Sequence, residues 1–146
     1  MNIRKTRDED LPAILELIHE FHEESLDEYG IFCNDEVLNR IMPAMVKTSL
    51  VMLDTDKIVG VIAGFKTSHI QDDKKLFQET IWYVSKKYRK HGIKLLNEME
   101  RLCKHIGCVY MVMVNMGTAR NELFKKFYTS NGYSLLETQY IKTLEV

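Results

Sequence analysis

One stretch of this chain constrains its fold more than any other, because it changes character twice over a short distance. An apolar, aromatic segment is followed by a basic loop with a single glycine and then by helical periodicity; it reads Tyr83-Val84-Ser85-Lys86-Lys87-Tyr88-Arg89-Lys90-His91-Gly92-Ile93-Lys94-Leu95-Leu96. The first backbone N–H groups of a helix have no partner within the helix, and the helix dipole favours an anion there. The stretch therefore predicts a strand, loop and helix that bind a phosphorylated ligand.

Length and composition narrow the class of protein. The 146 residues fit one domain with one core, and we expect a single domain over residues 1–146. No apolar run is long enough to span a membrane, and the N-terminal residues lack an apolar signal core. The three cysteines show no spacing typical of a disulfide framework. We therefore expect a cytoplasmic protein without a membrane partner.

The charge is distributed unevenly along the chain. The net charge of −1 combines −8 over residues 1–73 with +7 over residues 74–146. A basic half can hold phosphates, and an acidic half can receive a cationic substrate. Halves of a sequence need not be halves of a structure, so an ordinary solvated surface is an equal alternative.

Hydrophobic periodicity predicts the order β-α-α-β-β-β-α-β-α-β. Pro12 marks the first turn of the first helix, Asn34 or Asp35 caps the second, and Pro43 ends or kinks it. The other predicted segments are a hairpin over 50–65, a strand over 76–84, a helix that ends at Gly107, a strand over 108–114 buried on both faces, a helix that ends at 131–132, and a final strand or strand pair over 133–144. This order implies an α/β fold with a central mixed sheet and helices on its faces.

Three sequence segments follow one another along the chain, on the predicted hairpin, on the loop before the third helix and on the last helix. They are Asp56-Lys57-Ile58-Val59-Gly60-Val61-Ile62-Ala63-Gly64 on the hairpin, Arg89-x-x-Gly92-Ile93 after Tyr83-Val84, and Asn121-x5-Phe127-Tyr128-x3-Gly132-Tyr133 near the end. Together they resemble the hairpin, the acetyl-CoA motif and the C-terminal signature of the GCN5-related N-acetyltransferase (GNAT) superfamily. The segment from Ser68-His69 through Asp72-Asp73 to Tyr83-Val84 is also similar to small members often carried by bacteriophages, which would place the protein in the host cytoplasm.

The resemblance implies a fold, a co-substrate and a set of binding residues. The fold would be a twisted mixed sheet of six to seven strands flanked by four helices, and the co-substrate would be acetyl-CoA. The residues that the resemblance assigns to acetyl-CoA are Tyr83, Val84, Arg89, Lys90, His91, Gly92, Ile93, Lys94 and Asn121. Lys94 departs from the family pattern, which has a small residue there, and the helix that follows the loop is short. A lysine can replace close backbone approach by charge.

Acetyl transfer to an amine needs a route for the amine proton, because only about one lysine in 10³ is neutral at pH 7. Glu79 is the first candidate for the base, since it lies in the strand that would flank the thioester. An ordinary outward glutamate on an alternating strand is an equal alternative. His69, Asp72 and Asp73 are weaker candidates in a polar loop.

Two further roles follow from the resemblance. A backbone N–H near Tyr83-Val84 would stabilise the developing oxyanion. Tyr128 matches the tyrosine that assists the departing thiolate, and its pKa of about 10 lies close enough to that of a thiol, about 8.5, for a shared hydrogen bond. The alternative for Tyr128 is simple packing beside Phe127.

Other binding functions receive less support from the residues. The spacing of Cys103, His105 and Cys108 matches no zinc pattern, so we expect core packing and no metal site. The basic cluster comes without a nucleic-acid motif, so we expect no nucleic-acid partner.

The sequence thus predicts an acetyl-CoA-dependent N-acetyltransferase that acts by direct transfer to a primary amine. The acceptor would be a protein lysine, an N-terminus or a small cationic amine, recognised by the first two helices, the 68–75 loop and the last strand. The alternative is a catalytically silent domain of the same fold that binds CoA or a protein partner. A homodimer is a further possibility.

Overall fold

The structure is a computed structural model that describes residues 1–116 and 121–144. These divide into two compact units, Met1–Val114 and Asn115–Val146. The first unit contains strands β1 (Asn2–Lys5), β2 (Ser49–Asp54), β3 (Lys57–Ser68), β4 (Lys75–Val84) and β5 (Tyr110–Val112), with helices α1 (Leu11–Ser25), α2 (Asp35–Ile41) and α3 (Gly92–His105). The second unit contains α4 (Asn121–Ser130). That the whole chain forms a single domain stays a prediction.

The strands of the first unit form one five-stranded sheet in the order β1-β2-β3-β4-β5. The pairs from β1 to β4 are antiparallel, and β4 pairs with β5 in parallel. The connection from β4 to β5 runs through α3, since parallel neighbours need a crossover. The predicted mixed sheet with flanking helices is confirmed.

Local sequence signals determine where the helices in the first half of the chain begin and end. Pro12 lies in the first turn of α1, where its missing N–H costs nothing. The Asn34 side chain caps α2 by accepting a hydrogen bond of 3.2 Å from the Val37 N–H. α2 ends at Ile41, and a 3₁₀ segment that contains Pro43 follows it. These three predictions are confirmed.

The two faces of the sheet bury different helices. On one face, α1 and the segment after α2 cover alternate residues of the central strands; this core contains Ile14, Leu17, Ile18, Met42, Met45, Val51, Leu53, Val61, Ala63, Ile81 and Tyr83. On the other face lies α3, whose Leu95, Leu96 and Met99 are fully buried. The sheet is therefore a buried central layer, and β4 and β5 lie at its far end.

One strand prediction was wrong in its bounds and burial, and another was wrong in predicting a strand. The predicted strand over 108–114 is only Tyr110–Val112 and is partly exposed, because β5 pairs with β4 alone among the described strands. The predicted final strand over 133–144 forms no β-ladder among the described residues, so the sheet there has five strands instead of six to seven. Alternating apolar residues give a segment strand propensity, but a strand also needs a hydrogen-bonded neighbour.

The helices give no sign of membrane insertion. Within residues 1–116 and 121–144, each helix is too short or too polar to cross a bilayer.

Candidate active site

The first unit has a gap between two neighbouring strands. β4 pairs with β5 only from Leu76 to Gln78, opposite Tyr110–Val112, and then continues to Val84 without a ladder partner on that side among the described residues. A strand edge without a partner presents backbone N–H and C=O groups to an extended ligand. The gap therefore offers a backbone-lined binding surface along the second half of β4.

Glu79 lies where this gap begins. Its residue is only 8% exposed, and its carboxylate accepts a hydrogen bond of 2.7 Å from the backbone N–H of Val114, just beyond β5. Burial raises the pKa of Glu79 to about 7, although the Val114 hydrogen bond acts in the opposite direction. A carboxyl group with this pKa is partly ionised at neutral pH and can both accept and release a proton.

A β-bulge in β4 fixes the direction of the Glu79 side chain. Gly64 of β3 pairs with Glu79 and Ala63 pairs with Ile81, so Thr80 is the extra residue. Because paired residues share a face, the bulge sends Ile81 to the α1 face and leaves Glu79 on the other. Gly64 permits the close approach of the strands, since a β carbon there would lie 2.1 Å from the Gln78 carbonyl oxygen.

The basic loop after β4 leads directly into α3, as the sequence predicts. Residues Lys86–His91 form a 3₁₀ turn and Gly92 begins the helix, whose first N–H groups receive no cap from the His91 side chain. A β carbon added to Gly92 would meet only the side chains of Trp82 and Val84, at 3.6 and 3.8 Å. The protein's own packing thus tolerates a larger residue there. The Gly92 N–H donates to the Arg89 carbonyl oxygen, and without a side-chain cap the helix start keeps the positive dipole end that favours a phosphate.

Three of the predicted acetyl-CoA residues, Lys90, His91 and Lys94, lie close together where this loop meets α3. Desolvation, followed by the charges of Lys94 and Lys90, lowers the pKa of His91. The imidazole is therefore largely neutral at pH 7, and the lysines supply the positive charge. Tyr88 connects the loop to the β2–β3 hairpin, because its hydroxyl donates a hydrogen bond of 2.8 Å to Asp54. The predicted phosphate residues thus lie on this loop and in the first turn of α3.

Arg89 is directed elsewhere. Its guanidinium forms an ion pair with Glu24 of α1, and its Nε donates a hydrogen bond of 3.2 Å to the Val84 carbonyl oxygen. The guanidinium also lies over the Tyr83 ring, 5.6 Å from the centroid. Arg89 therefore attaches the loop to α1 and β4, and only its backbone is free of these contacts.

Two glutamates of α1 organise this attachment, and the sequence analysis did not identify them. The Tyr83 hydroxyl lies between two carboxylates and shares its one hydrogen between Glu24, at 2.7 Å, and Glu20, at 3.1 Å. Glu20 also accepts a hydrogen bond of 3.1 Å from the Ser85 hydroxyl. Burial and the two carboxylates raise the pKa of Tyr83 well above its usual value. The i,i+4 spacing of the glutamates places them on one helix face, but only the fold reveals the partner.

The polar loop between β3 and β4 forms a hydrogen-bonded turn that contacts β5. The Asp72 carboxylate accepts hydrogen bonds from the Lys74 N–H, at 3.0 Å, and from the Tyr110 hydroxyl, also at 3.0 Å. The His69 N–H donates to the Lys74 carbonyl oxygen at 2.7 Å, and Asp73 occupies the left-handed region with φ 56°. These side chains form the turn and its contact with β5.

The second unit contains the remaining candidates. The amide of Asn115 donates a hydrogen bond of 2.7 Å to the side chain of Asn121, the first residue of α4. Tyr128 is 8% exposed, and its ring meets those of Phe127 and Tyr133 at centroid distances of 5.7 and 5.4 Å. Tyr128 is therefore held in a fixed orientation by aromatic packing within its own unit.

The cysteines considered for a metal lie apart from these groups. Cys103 is buried on the inner face of α3, and burial raises the pKa of its thiol to about 12. Cys108 is half-buried between α3 and β5.

Comparison with solved structures supports the fold. An aminoglycoside acetyltransferase from an uncultured soil metagenomic sample superposes with a TM-score of 0.74 at 14% identity, over 99% of this chain and 98% of that one. Glucosamine-6-phosphate N-acetyltransferase from Arabidopsis thaliana gives 0.69 at 19% identity, with 99% and 98% coverage. AAC(6')-Iy, bound to the bisubstrate analogue CoA-S-monomethyl-acetylneamine, gives 0.73 at 13% identity, again with 99% and 98% coverage.

Sequence comparison assigns the family. No curated protein matches the chain in sequence. The profile of the Acetyltransferase (GNAT) family matches residues 11–133, which include β2 to β5, the basic loop and the C-terminal signature described above. The predicted enzyme class and its co-substrate, acetyl-CoA, are confirmed at the level of the family. The chain belongs to the acetyltransferase (GNAT) family, whose enzymes transfer an acetyl group from acetyl-CoA.

Proposed function

We propose that this protein acetylates a primary amine by direct transfer from acetyl-CoA, without a covalent enzyme intermediate. The observation that supports this most strongly is the gap between β4 and β5, which begins at a buried carboxylate with a pKa of about 7. A base near neutrality next to an open strand edge suits the removal of a proton from an amine. We assign this role to Glu79.

In this proposal the donor lies along β4 with its pyrophosphate at the start of α3. The backbone of residues 89–94, apart from the Gly92 N–H that donates to Arg89, would supply N–H donors, and the absence of a β carbon at Gly92 would leave room for close approach. Lys90 and Lys94 would add positive charge at the same corner. Extended backbone at Tyr83 and Val84 would pair with the pantetheine arm and donate an N–H to the oxyanion.

The leaving thiolate is the remaining charge to be stabilised. We assign this task to Tyr128, whose phenol can donate a hydrogen bond to the sulfur, and the contact of Asn121 with the donor is part of the same proposal. Aromatic packing holds the Tyr128 ring, so the hydroxyl would need little reorganisation during transfer. Within the second unit, the Tyr133 N–H donates a hydrogen bond of 3.0 Å to the Tyr128 carbonyl oxygen, just after the end of α4.

For the acceptor, we propose a cationic amine such as a lysine side chain, a polyamine or an aminoglycoside. Support comes from the charge of −8 over residues 1–73, a segment that contains α1, α2 and their connection as well as β1 to β3. Exposed acidic side chains of this segment include Asp27 and Asp35. A homodimer and a cytoplasmic location stay predictions.

A turnover assay tests the proposal. Thiol release from acetyl-CoA would be followed with a panel of lysine peptides, polyamines and aminoglycosides, first with wild-type protein and then with Glu79→Gln. Glu98→Gln on α3 is the matched control, since that carboxylate lies outside the gap. We expect amine-dependent thiol release that Glu79→Gln lowers by roughly 10²-fold or more and Glu98→Gln preserves.

A catalytically silent protein would behave differently. It would show thermal stabilisation by CoA or acetyl-CoA but no amine-dependent thiol release with any member of the panel. That result would contradict the proposed transfer and support the alternative function as a binding domain.

A further inference from the structure

Three side chains with metal-binding atoms meet at one point of the first unit, away from the gap. His19 lies on α1, Cys33 in the connection that follows, and Asp35 at the first position of α2. One ligand atom from each, a nitrogen, a sulfur and an oxygen, lies within 4.8 Å of the other two. We propose that His19, Cys33 and Asp35 bind a divalent transition-metal ion, with Zn²⁺ as the favoured ion.

The three ligand atoms lie near the spacing of tetrahedral ligands, and the nitrogen and oxygen must move apart to reach it. Ligands at 2.0–2.3 Å from Zn²⁺ lie roughly 3.3–3.8 Å apart in a tetrahedron. The His19 Nε2 and Asp35 Oδ1 atoms are 2.7 Å apart, and the Cys33 sulfur lies within 4.8 Å of both. Rotation of the partly exposed His19 and Asp35 side chains would separate their two ligand atoms to this range.

The chemistry of the three donors selects the ion. Thiolate and imidazole ligands favour Zn²⁺ over the harder Mg²⁺ and Ca²⁺, and one carboxylate is compatible with zinc. Asp27 adds a second carboxylate whose charge acts on the Cys33 thiol. The negative surroundings favour a divalent cation, and three protein ligands leave a fourth position for water or an external ligand.

The location permits an ion to enter from solvent. The side chains of His19 and Asp35 are 44% and 55% exposed, and Cys33 is half-buried, so no part of the core must open. A bound ion would connect α1 directly to the start of α2. The chain between these two helices contains a short 3₁₀ helix, Asp27–Tyr29. Because the ion would bind the folded state alone, it would raise the thermal stability of the protein.

Cobalt provides a direct test, independent of acetyl transfer. Co²⁺ would be titrated into the full, untagged and reduced chain after treatment with a chelator. We expect the thiolate-to-Co²⁺ charge-transfer band and intense ligand-field bands of a tetrahedral site, both removed by one equivalent of Zn²⁺. Cys33→Ser should eliminate the charge-transfer band. Cys108→Ser is the matched control and should retain it, because that thiol is also half-buried but lies elsewhere.

Variants of the other two ligands complete the test. His19→Gln and Asp35→Asn should each weaken Zn²⁺ binding at least about tenfold, whereas His105→Gln on the exposed end of α3 should leave it unchanged. These substitutions leave the thiol intact, so they test the site even if Cys33→Ser fails to fold. The proposal is overturned if wild-type protein gives no charge-transfer band, if the band survives in Cys33→Ser, or if His19→Gln binds Zn²⁺ as tightly as the wild type. The last two results would leave His19 and Asp35 as a simple hydrogen-bonded pair.

Discussion

The carboxylate of Glu79 and the backbone N–H of Val114 are joined by a hydrogen bond of 2.7 Å at the place where β4 and β5 separate. In a regular ladder, a backbone carbonyl would accept a hydrogen bond from that N–H. Here an ionisable side chain accepts it, so the end of the sheet contains a group that can change its charge. Two of the predictions below follow from this relationship.

Glu79→Gln should lower kcat/KM by roughly 10²-fold or more, because glutamine cannot accept the amine proton. In the wild type, kcat/KM should rise with pH through about 7 as the carboxyl group loses its proton, in addition to any dependence from the amine itself. The variant should lose the step near 7. Parallel pH profiles with one amine measure this, and an unchanged step in Glu79→Gln would contradict the assignment of the base.

The same residue should make stability depend on pH. Its pKa is raised from 4.5 to about 7 in the folded protein, so the folded state binds more protons than the unfolded state between these values. Stability should therefore fall as pH rises from about 4.5 to 7, by on the order of 3 kcal/mol, and then become constant with respect to this group.

Glu79→Gln should remove this dependence, since glutamine resembles the protonated acid and can still accept the Val114 hydrogen bond. Urea unfolding at pH 5 and pH 8 should show a variant close to the wild type at the lower pH and more stable than it at the higher pH. An equal difference at both values would mean that the buried carboxyl group keeps an ordinary pKa.

Tyr128→Phe should reduce kcat by roughly tenfold or more with little change in the KM for acetyl-CoA, because the proposed hydrogen bond forms chiefly as the thiolate leaves. The ring contacts with Phe127 and Tyr133 would remain. Tyr133→Phe is the matched control, since it removes a hydroxyl from a neighbouring tyrosine. Steady-state kinetics measure kcat for both variants. Equal kcat values in the two variants would contradict the proposed role of Tyr128.

Gly92→Ala tests whether the glycine is required for stability of the fold or for binding of acetyl-CoA. Alanine fits the helical backbone and would gain about 0.5–1 kcal/mol of stability through a less flexible unfolded chain. Its β carbon would meet Trp82 and Val84 only at ordinary contact distances, the nearer being 3.6 Å. If the donor approaches this backbone, the KM for acetyl-CoA should nevertheless rise severalfold. A more stable variant with an unchanged KM would place the pyrophosphate elsewhere.

Tyr83→Phe should destabilise the first unit by about 1.5–3 kcal/mol, because its hydroxyl shares its hydrogen between two carboxylates of α1, Glu20 and Glu24. Tyr140→Phe, at a side chain that is 93% exposed, provides the comparison. Chemical unfolding measures both variants. A loss below about 0.5 kcal/mol for Tyr83→Phe would show that solvent replaces the lost hydrogen bonds.

The sequence by itself determined the features that depend on neighbouring residues. Helical periodicity located α1 and α3, Asn34 and Pro43 marked the ends of α2, and the glycine after the basic loop marked the start of α3. These signals are local, because caps, turns and one-sided apolar patterns act within a few residues.

Only the tertiary structure decided which strands pair, which side chains are buried and which charges meet. Local alternation suggested a last strand that the described residues do not form, since a strand requires a partner that the pattern cannot specify. Glu79 could have been an ordinary surface glutamate until the end of the β4–β5 ladder placed it beside the Val114 N–H. Likewise, His19 and Asp35 became neighbours only when α2 packed beside α1. Burial and hydrogen-bond partners arise from contacts between distant residues, and these contacts set the pKa values and binding sites on which function depends.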